Sequence, residues 1–160
     1  MNERILMILT LWSAVGAGLI AGLFFAFSTF IMTALSRIPN EHGMSTMQSI
    51  NTNILTPVFG LLFMGTALTS IVLTIVSFMR WGMPGSGYLL AACLLYLGGV
   101  IVTMAFNIPL NDALAAAEPG SDAGNRVWKT YLVTWTAWNH VRTFCSVASL
   151  ILFILAIREL

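Results

Sequence analysis

Three stretches of this chain, residues 5–36, 42–79 and 81–111, carry no formal charge, and a fourth, 130–157, carries only Arg142. Apolar runs of this length cannot be wrapped by the remaining charged residues into a water-soluble fold. A helix that crosses the hydrocarbon of a bilayer needs about 20 mostly apolar residues. It also satisfies its own backbone polar groups there. The charge-free stretches therefore predict four spanning helices, at about 6–34, 54–79, 86–106 and 132–157. Composition agrees: 58% of residues are hydrophobic and 8% charged, against about 25% charged in ordinary globular domains. Mean hydropathy is +0.89. Seven Lys and Arg against six Asp and Glu leave a net charge of +1, so no basic footprint exists for nucleic acid. The expected fold class is all-α, an integral membrane four-helix bundle forming a single transmembrane domain over residues 1–160.

The first span has a charged start, but its apolar run exceeds the roughly 7–15 residues of a signal-peptide core. It reads as a retained helix. Four spans put the N-terminus, the 80–85 turn and the C-terminus on one side of the membrane, and the 36–53 and 107–131 connections on the other. Arg4, Arg80 and Arg158 fall on the first side, and Arg37, Arg126 and Lys129 on the second together with four acids. The short, acid-poor turn at Arg80 tips the expectation to N-in, C-in. Trp12, Trp81 and Tyr88 at one end, and Trp128, Tyr131 and Trp135 at the other, suit interfacial belts. Lipid gives no hydrophobic push between helices, so close packing relies on small residues. Ala14, Gly18, Gly22 and Ala26 form such a stripe on the first span, and Thr66, Ser70, Thr74 and Ser77 one on the second. Packing within the bundle is the expected use, and a homo-oligomer seam is the alternative. Cys93 and Cys145 fall inside spans as small packing residues.

The polar residues gather at one end. Gln48 and Asn51 lie at the approach to the second span, where Asn51 or Asn53 could equally serve as its cap. Asn107 and Asn111 flank Pro109 at the exit of the third. Asn139, His140 and Arg142 lie within the fourth. Trp135, Trp138, Asn139 and Arg142 share one helical face at i, i+3, i+4 and i+7. His140 points about 100° away from Asn139 and reaches at most the edge of a common hollow. Arg142 has two readings. It could snorkel to the headgroups, or it could face the interior, as intramembrane charges usually do. An arginine ringed by neutral amides, with every carboxylate in the loops, suits an anionic or enolate-like ligand. For His140 the alternative is a neutral imidazole bonded to a neighbouring helix. With two histidines and no carboxylate at ligand spacing, no metal site is expected.

These same residues carry a family resemblance. Met47-Gln48-Ser49-Ile50-Asn51, Asn107-Ile108-Pro109-Leu110-Asn111 and Trp135-Thr136-Ala137-Trp138-Asn139-His140-Val141-Arg142-Thr143, with Phe24-Phe25-Ala26-Phe27-Ser28 in the first span, together resemble the anthrone oxygenase-like family of small four-helix membrane proteins. The resemblance extends over essentially the whole chain. It implies an oxygenase that needs no cofactor and uses O2 as co-substrate, converting anthrones, tricyclic phenolic ketones, to anthraquinones. In such a reaction His140 would act as base and Arg142 would stabilise the enolate and the reduced oxygen. Asn107, Asn111 and Asn139, with Gln48 and Asn51, would hold substrate oxygens, and Trp135 and Trp138 would stack on the flat rings. A small hydrophobic aromatic substrate would arrive through the lipid bilayer.

The rival class is non-enzymatic: a bundle that binds a lipid or small hydrophobic molecule, or that stabilises a partner membrane protein, with Asn139, His140 and Arg142 as interhelical glue. A closed hollow holding His140 and Arg142 favours the enzyme, and side chains saturated by one another favour the glue. A transporter fits less well, with few spans and no charge pair at the midplane.

Overall fold

The computed structural model describes residues 2–160. Helix α1, Glu3–Ala26, starts where the Asn2 side chain accepts the Arg4 backbone N–H at 3.0 Å. It passes through a widened π turn, Phe27–Ile31, into α2, Met32–Ser36, making one continuous rod of 34 residues. Helix α3, Asn40–Asn53, follows; α4 is Pro57–Met79 and α5 Ser86–Val102. A second π turn, Thr103–Asn107, leads into α6, Ile108–Ala115, and α7 runs over Asp122–Glu159. Among the described residues there is no strand, and four rods are long and apolar enough to cross a membrane: Glu3–Ser36, Pro57–Met79, Ser86–Ala115 and Asp122–Glu159. The protein is thus an all-α, multi-pass membrane bundle.

The rods pack in a ring. Helix α7 lies against α1 and α5, and α4 closes the ring against α5 and α1. Two apolar cores result. One, around Leu6, Ile20, Phe63, Leu73, Tyr96 and Phe153, fills the ring. The other, around Phe27, Met32, Met44, Leu114, Trp128 and Tyr131, lies at the polar end. More than half of each spanning window is exposed, and the exposed residues include Leu19, Leu61, Ile75, Leu94 and Ile154. Apolar surface on this scale is covered by lipid.

The structure moves several sequence-based boundaries. The 36–53 connection is largely the helix α3, whose apolar Met44 and Met47 are buried while Ser45, Thr46 and Ser49 face out. Asn51 and Asn53 do not cap the second span. Thr56 does, accepting the Phe59 N–H at 3.2 Å, with Pro57 in the first turn. Asn53 instead donates back to the Ser49 carbonyl at 2.8 Å. The third rod continues past Pro109. Proline lacks the N–H that an ordinary turn requires, and the chain accommodates it by widening the turn before it, where the Ile108 N–H donates to the Thr103 carbonyl. Helix α7 begins about a third of its length before the expected span, capped by Ser121 Oγ accepting from the Gly124 N–H at 2.9 Å.

The small-residue stripes divide. On α4, Thr66, Ser70 and Ser77 are buried and Thr74 half-buried, facing the ring as expected. On α1 the tight approach is made by Gly16, where an added Cβ would collide with Thr66 Oγ1. The Gly18–Gly22 pair lies to one side of this contact. Gly22 is exposed, and a Cβ there would meet no atom within 4 Å. At the far end, Arg80 at the end of α4 pairs with Glu3. That charge-assisted bond holds the Arg80 guanidinium above its ordinary pKa.

Candidate functional site

The buried face of α7 determines the site. Trp128, Tyr131, Trp135, Asn139 and Arg142 recur at three- and four-residue intervals and all point inward. The three rings form a ladder: Trp128 to Tyr131 has centroids 5.8 Å apart, and Tyr131 to Trp135 5.4 Å. The expectation of an interfacial belt at these positions is therefore corrected. Because α7 starts early, the rings lie inside the bundle beneath α3, against Met44, Met47 and Leu114.

Above the ladder, Asn139 is fully buried and joins two helices. Its Nδ2 donates to the Phe24 carbonyl at 2.8 Å and to Ser28 Oγ at 2.7 Å. Its Oδ1 accepts Arg142 Nη2 at 2.7 Å. Thr143 Oγ1 donates to the Asn139 carbonyl at 2.8 Å and lies 2.9 Å from Ser28 Oγ. A hydroxyl has a single proton, so Ser28 must donate to Thr143. The circuit fixes the orientation of every member. It forms where α1 widens into its π turn, Phe27–Ile31, a distortion often found at functional positions.

Arg142 faces inward. It is only 5% exposed, which decides against snorkelling. Its guanidinium carbon lies 4.2 Å from the Phe24 ring centroid and 4.9 Å from that of Trp135, over both faces. Such contacts attract a cation through the ring quadrupoles. The ion pairs among the described residues are His42–Glu41 and Glu3–Arg80, so no carboxylate neutralises Arg142. Its Nε has no hydrogen-bond partner.

The amides fall into two layers. Asn107 belongs with Arg142: it is fully buried, its Nδ2 donates to the Trp135 carbonyl at 3.2 Å, and its Oδ1 has no donor. Gln48, Asn51 and Asn111 form an outer cap. Gln48 Nε2 donates to the carbonyls of Leu114 and Ala117, at 2.8 and 3.0 Å, satisfying the open end of α6. Asn51 donates to the Tyr131 hydroxyl at 3.3 Å, and that hydroxyl donates to Asn111 Oδ1 at 2.8 Å. Trp135 is already occupied by Tyr131 on one side and Arg142 nearby, leaving it little face for a further ring. Trp138 is half-buried at the flank, stacked on Phe106 with centroids 3.7 Å apart.

His140 is not brought to this cluster. It is exposed on the outer side of α7, as its 100° offset from Asn139 requires. A shared hollow of imidazole and guanidinium is therefore corrected to a guanidinium–carboxamide cluster without the imidazole. Two cavities occur nearby or opposite. One of about 250 Å³ lies at the Glu3–Arg80 end, and one of about 260 Å³ between Leu110, Arg126 and Tyr131. Neither reaches Arg142. No group of three His, Cys, Asp or Glu side chains converges among the described residues.

Sequence reasoning missed Tyr131, Ser28, Thr143 and Phe24 as parts of the site. The aromatic Phe24–Ser28 segment was visible as a motif, but which of its atoms would meet α7 was not.

The family model described as anthrone oxygenase matches residues 56–152, more than half of the chain. The match contains Asn107, Asn111, Trp135, Trp138, Asn139, His140 and Arg142, and leaves Phe24, Ser28, Gln48 and Asn51 outside it. No curated protein and no solved structure gives a significant match.

Proposed function

Because the chain belongs to the anthrone oxygenase family, we propose that it is a membrane-embedded monooxygenase that oxidises anthrone-type or related phenolic aromatics to quinones with O2 and no cofactor. The observation that carries this reading is the buried Arg142 guanidinium, held between two aromatic faces and without a carboxylate. An unpaired charge in the hydrocarbon region costs at least about 2.5–3.5 kcal/mol on the insertion scale. A purely structural need would be met as well by a packed apolar side chain. A fixed cation is what an enolate needs.

The chemistry is balanced by substrate and oxygen alone. The anthrone ionises through its enol O–H, with the enolate oxygen facing Arg142. The electron-rich ring system passes one electron to O2. Radical and superoxide join at the former methylene carbon, and the peroxide takes up a proton. Loss of the second C–H proton breaks the O–O bond, leaving the new carbonyl and hydroxide, which is protonated to water. Arg142 stabilises each anion in turn. Asn107 Oδ1, which has no donor within the protein, accepts a substrate phenol. His140, on the outer face, has no step in this scheme. The sidedness we propose is N-in, C-in, with this site near the outer interface.

The test is oxygen uptake and quinone absorbance when detergent-purified protein meets a panel of anthrones and quinols. Turnover by wild type with loss in Arg142→Met supports the reading, and no oxygen uptake across the panel overturns it. A second reading has its own observation. The Asn139 side chain is saturated by α1 and Arg142, and neither cavity reaches the guanidinium. On that reading the cluster is interhelical glue in a binding or scaffolding bundle, and Arg142→Met folds as well as wild type with no activity to lose.

A further inference from the structure

The approach to Arg142 from water is closed. Helix α3 is pinned across that end by Gln48 and Asn51, and Trp128, Tyr131 and Trp135 are stacked beneath it, each nearly or fully buried. The lipid-facing flank differs. There Phe106, 39% exposed, lies on half-buried Trp138 with ring planes 7° apart and centroids 3.7 Å apart. Each ring is the chain neighbour of a buried carboxamide: Phe106 of Asn107, and Trp138 of Asn139. Phe106 is carried by the π turn Thr103–Asn107. Behind it, Asn107 Oδ1 is buried and has no donor.

We propose that Phe106 and Trp138 form a lateral clamp that admits a planar, hydroxylated polycyclic aromatic from the bilayer by letting it slide between the two rings. The pair is already parallel at stacking distance, so separating it by one ring thickness suits a flat guest and no other shape. Opening breaks one ring–ring contact and makes two. Both outer faces of the bundle are apolar there, so the guest need not cross water. A hydroxyl at its inner edge supplies the donor that Asn107 Oδ1 lacks. The planar class of guest rests on the oxygenase reading, while the clamp itself rests on the stack.

The experiment uses the full chain in nanodiscs, with 5-fluorotryptophan incorporated and its Trp138 19F resonance assigned by Trp138→Leu. The probe is a dihydroxyanthraquinone, which is already oxidised and cannot turn over. Saturable movement of the Trp138 resonance is expected, with Trp12 and Trp81 unmoved. Phe106→Leu should weaken binding at least tenfold, and Phe106→Tyr, which keeps the ring, should restore it. A Trp138 resonance that stays fixed in wild type at saturating probe overturns the clamp, and this readout needs no variant to fold. Equal affinity in a folded Phe106→Leu overturns it too. If the probe binds at Trp138 while no anthrone is oxidised, the clamp stands and the oxygenase reading falls. If anthrone is oxidised with unchanged KM in Phe106→Leu, the oxygenase reading stands and the clamp falls.

Discussion

Asn139 holds Arg142 from one helical turn away, Oδ1 to Nη2 at 2.7 Å, while its nitrogen fastens α7 to the Phe24 carbonyl and Ser28 of α1. One carboxamide thus orients the cation and locks the helix pair. Asn139→Ala removes all three bonds in a buried place. Each group left unsatisfied costs about 1–3 kcal/mol, so a loss of about 2 kcal/mol or more is expected in reversible unfolding. Ser28→Ala, which spares the Phe24 and Arg142 bonds, should cost less than half as much. Equal losses for the two variants would remove Asn139 from its central position.

Arg142→Met separates catalysis from folding. Replacing a buried charge by an apolar side chain of similar volume is often neutral or stabilising, so the variant should melt in detergent no lower than wild type. Removing a donor that stabilises a developing oxyanion costs about 10²–10³ in turnover, and anthrone oxidation should fall by about that factor. His140→Ala, on the exposed face, should stay within about threefold of wild type, the change expected away from a site's own contacts. A hundredfold loss there would return the imidazole to the role of base.

What the sequence made legible was set by charge and by period. Gaps between charged residues are nearly sufficient to locate spans, because a bilayer tolerates few exceptions. The inward set Trp135, Asn139 and Arg142, and the divergence of His140, followed from 3.6 residues per turn. The outer cap did not. Helix α3 has few apolar residues, and its helicity depends on burying Met44 and Met47 under Trp128, a tertiary contact. Tyr131 sits where an interfacial ring is expected, and only the early start of α7 at Asp122 turns it inward. The widened turns had a single local signal, Pro109, and that for only one of them.

Tyr131→Phe tests the cap. The hydroxyl takes a proton from Asn51 and gives one to Asn111, so its loss leaves two amides short of a partner. A cost of about 1–2 kcal/mol is expected, with faster backbone hydrogen exchange confined to α3 and α6. Exchange that rises instead through α4 and α5 would show that the cap is not a separate unit.

The two glycine settings on α1 should behave differently. Gly16→Ala drives a methyl into Thr66 Oγ1 and should destabilise by about 1–3 kcal/mol, the usual cost of overpacking. Adding Thr66→Ala should recover most of that loss, because the two sites share one contact. Gly22→Leu should leave the melting temperature unchanged, since its surroundings are open. Sedimentation in detergent then reports whether a second copy covers this face, and a shift in mass between wild type and Gly22→Leu would identify such a seam.

The widened turn at Phe27–Ile31 accommodates one residue more than ordinary winding does. Deleting any single residue there would let the rod close to regular pitch and swing everything beyond it by about 100°. Met32 and Leu35 would then leave the second core. The stretch should tolerate many changes of side chain yet almost no change in length, so insertions and deletions, rather than substitutions, are the changes this rod is least able to absorb.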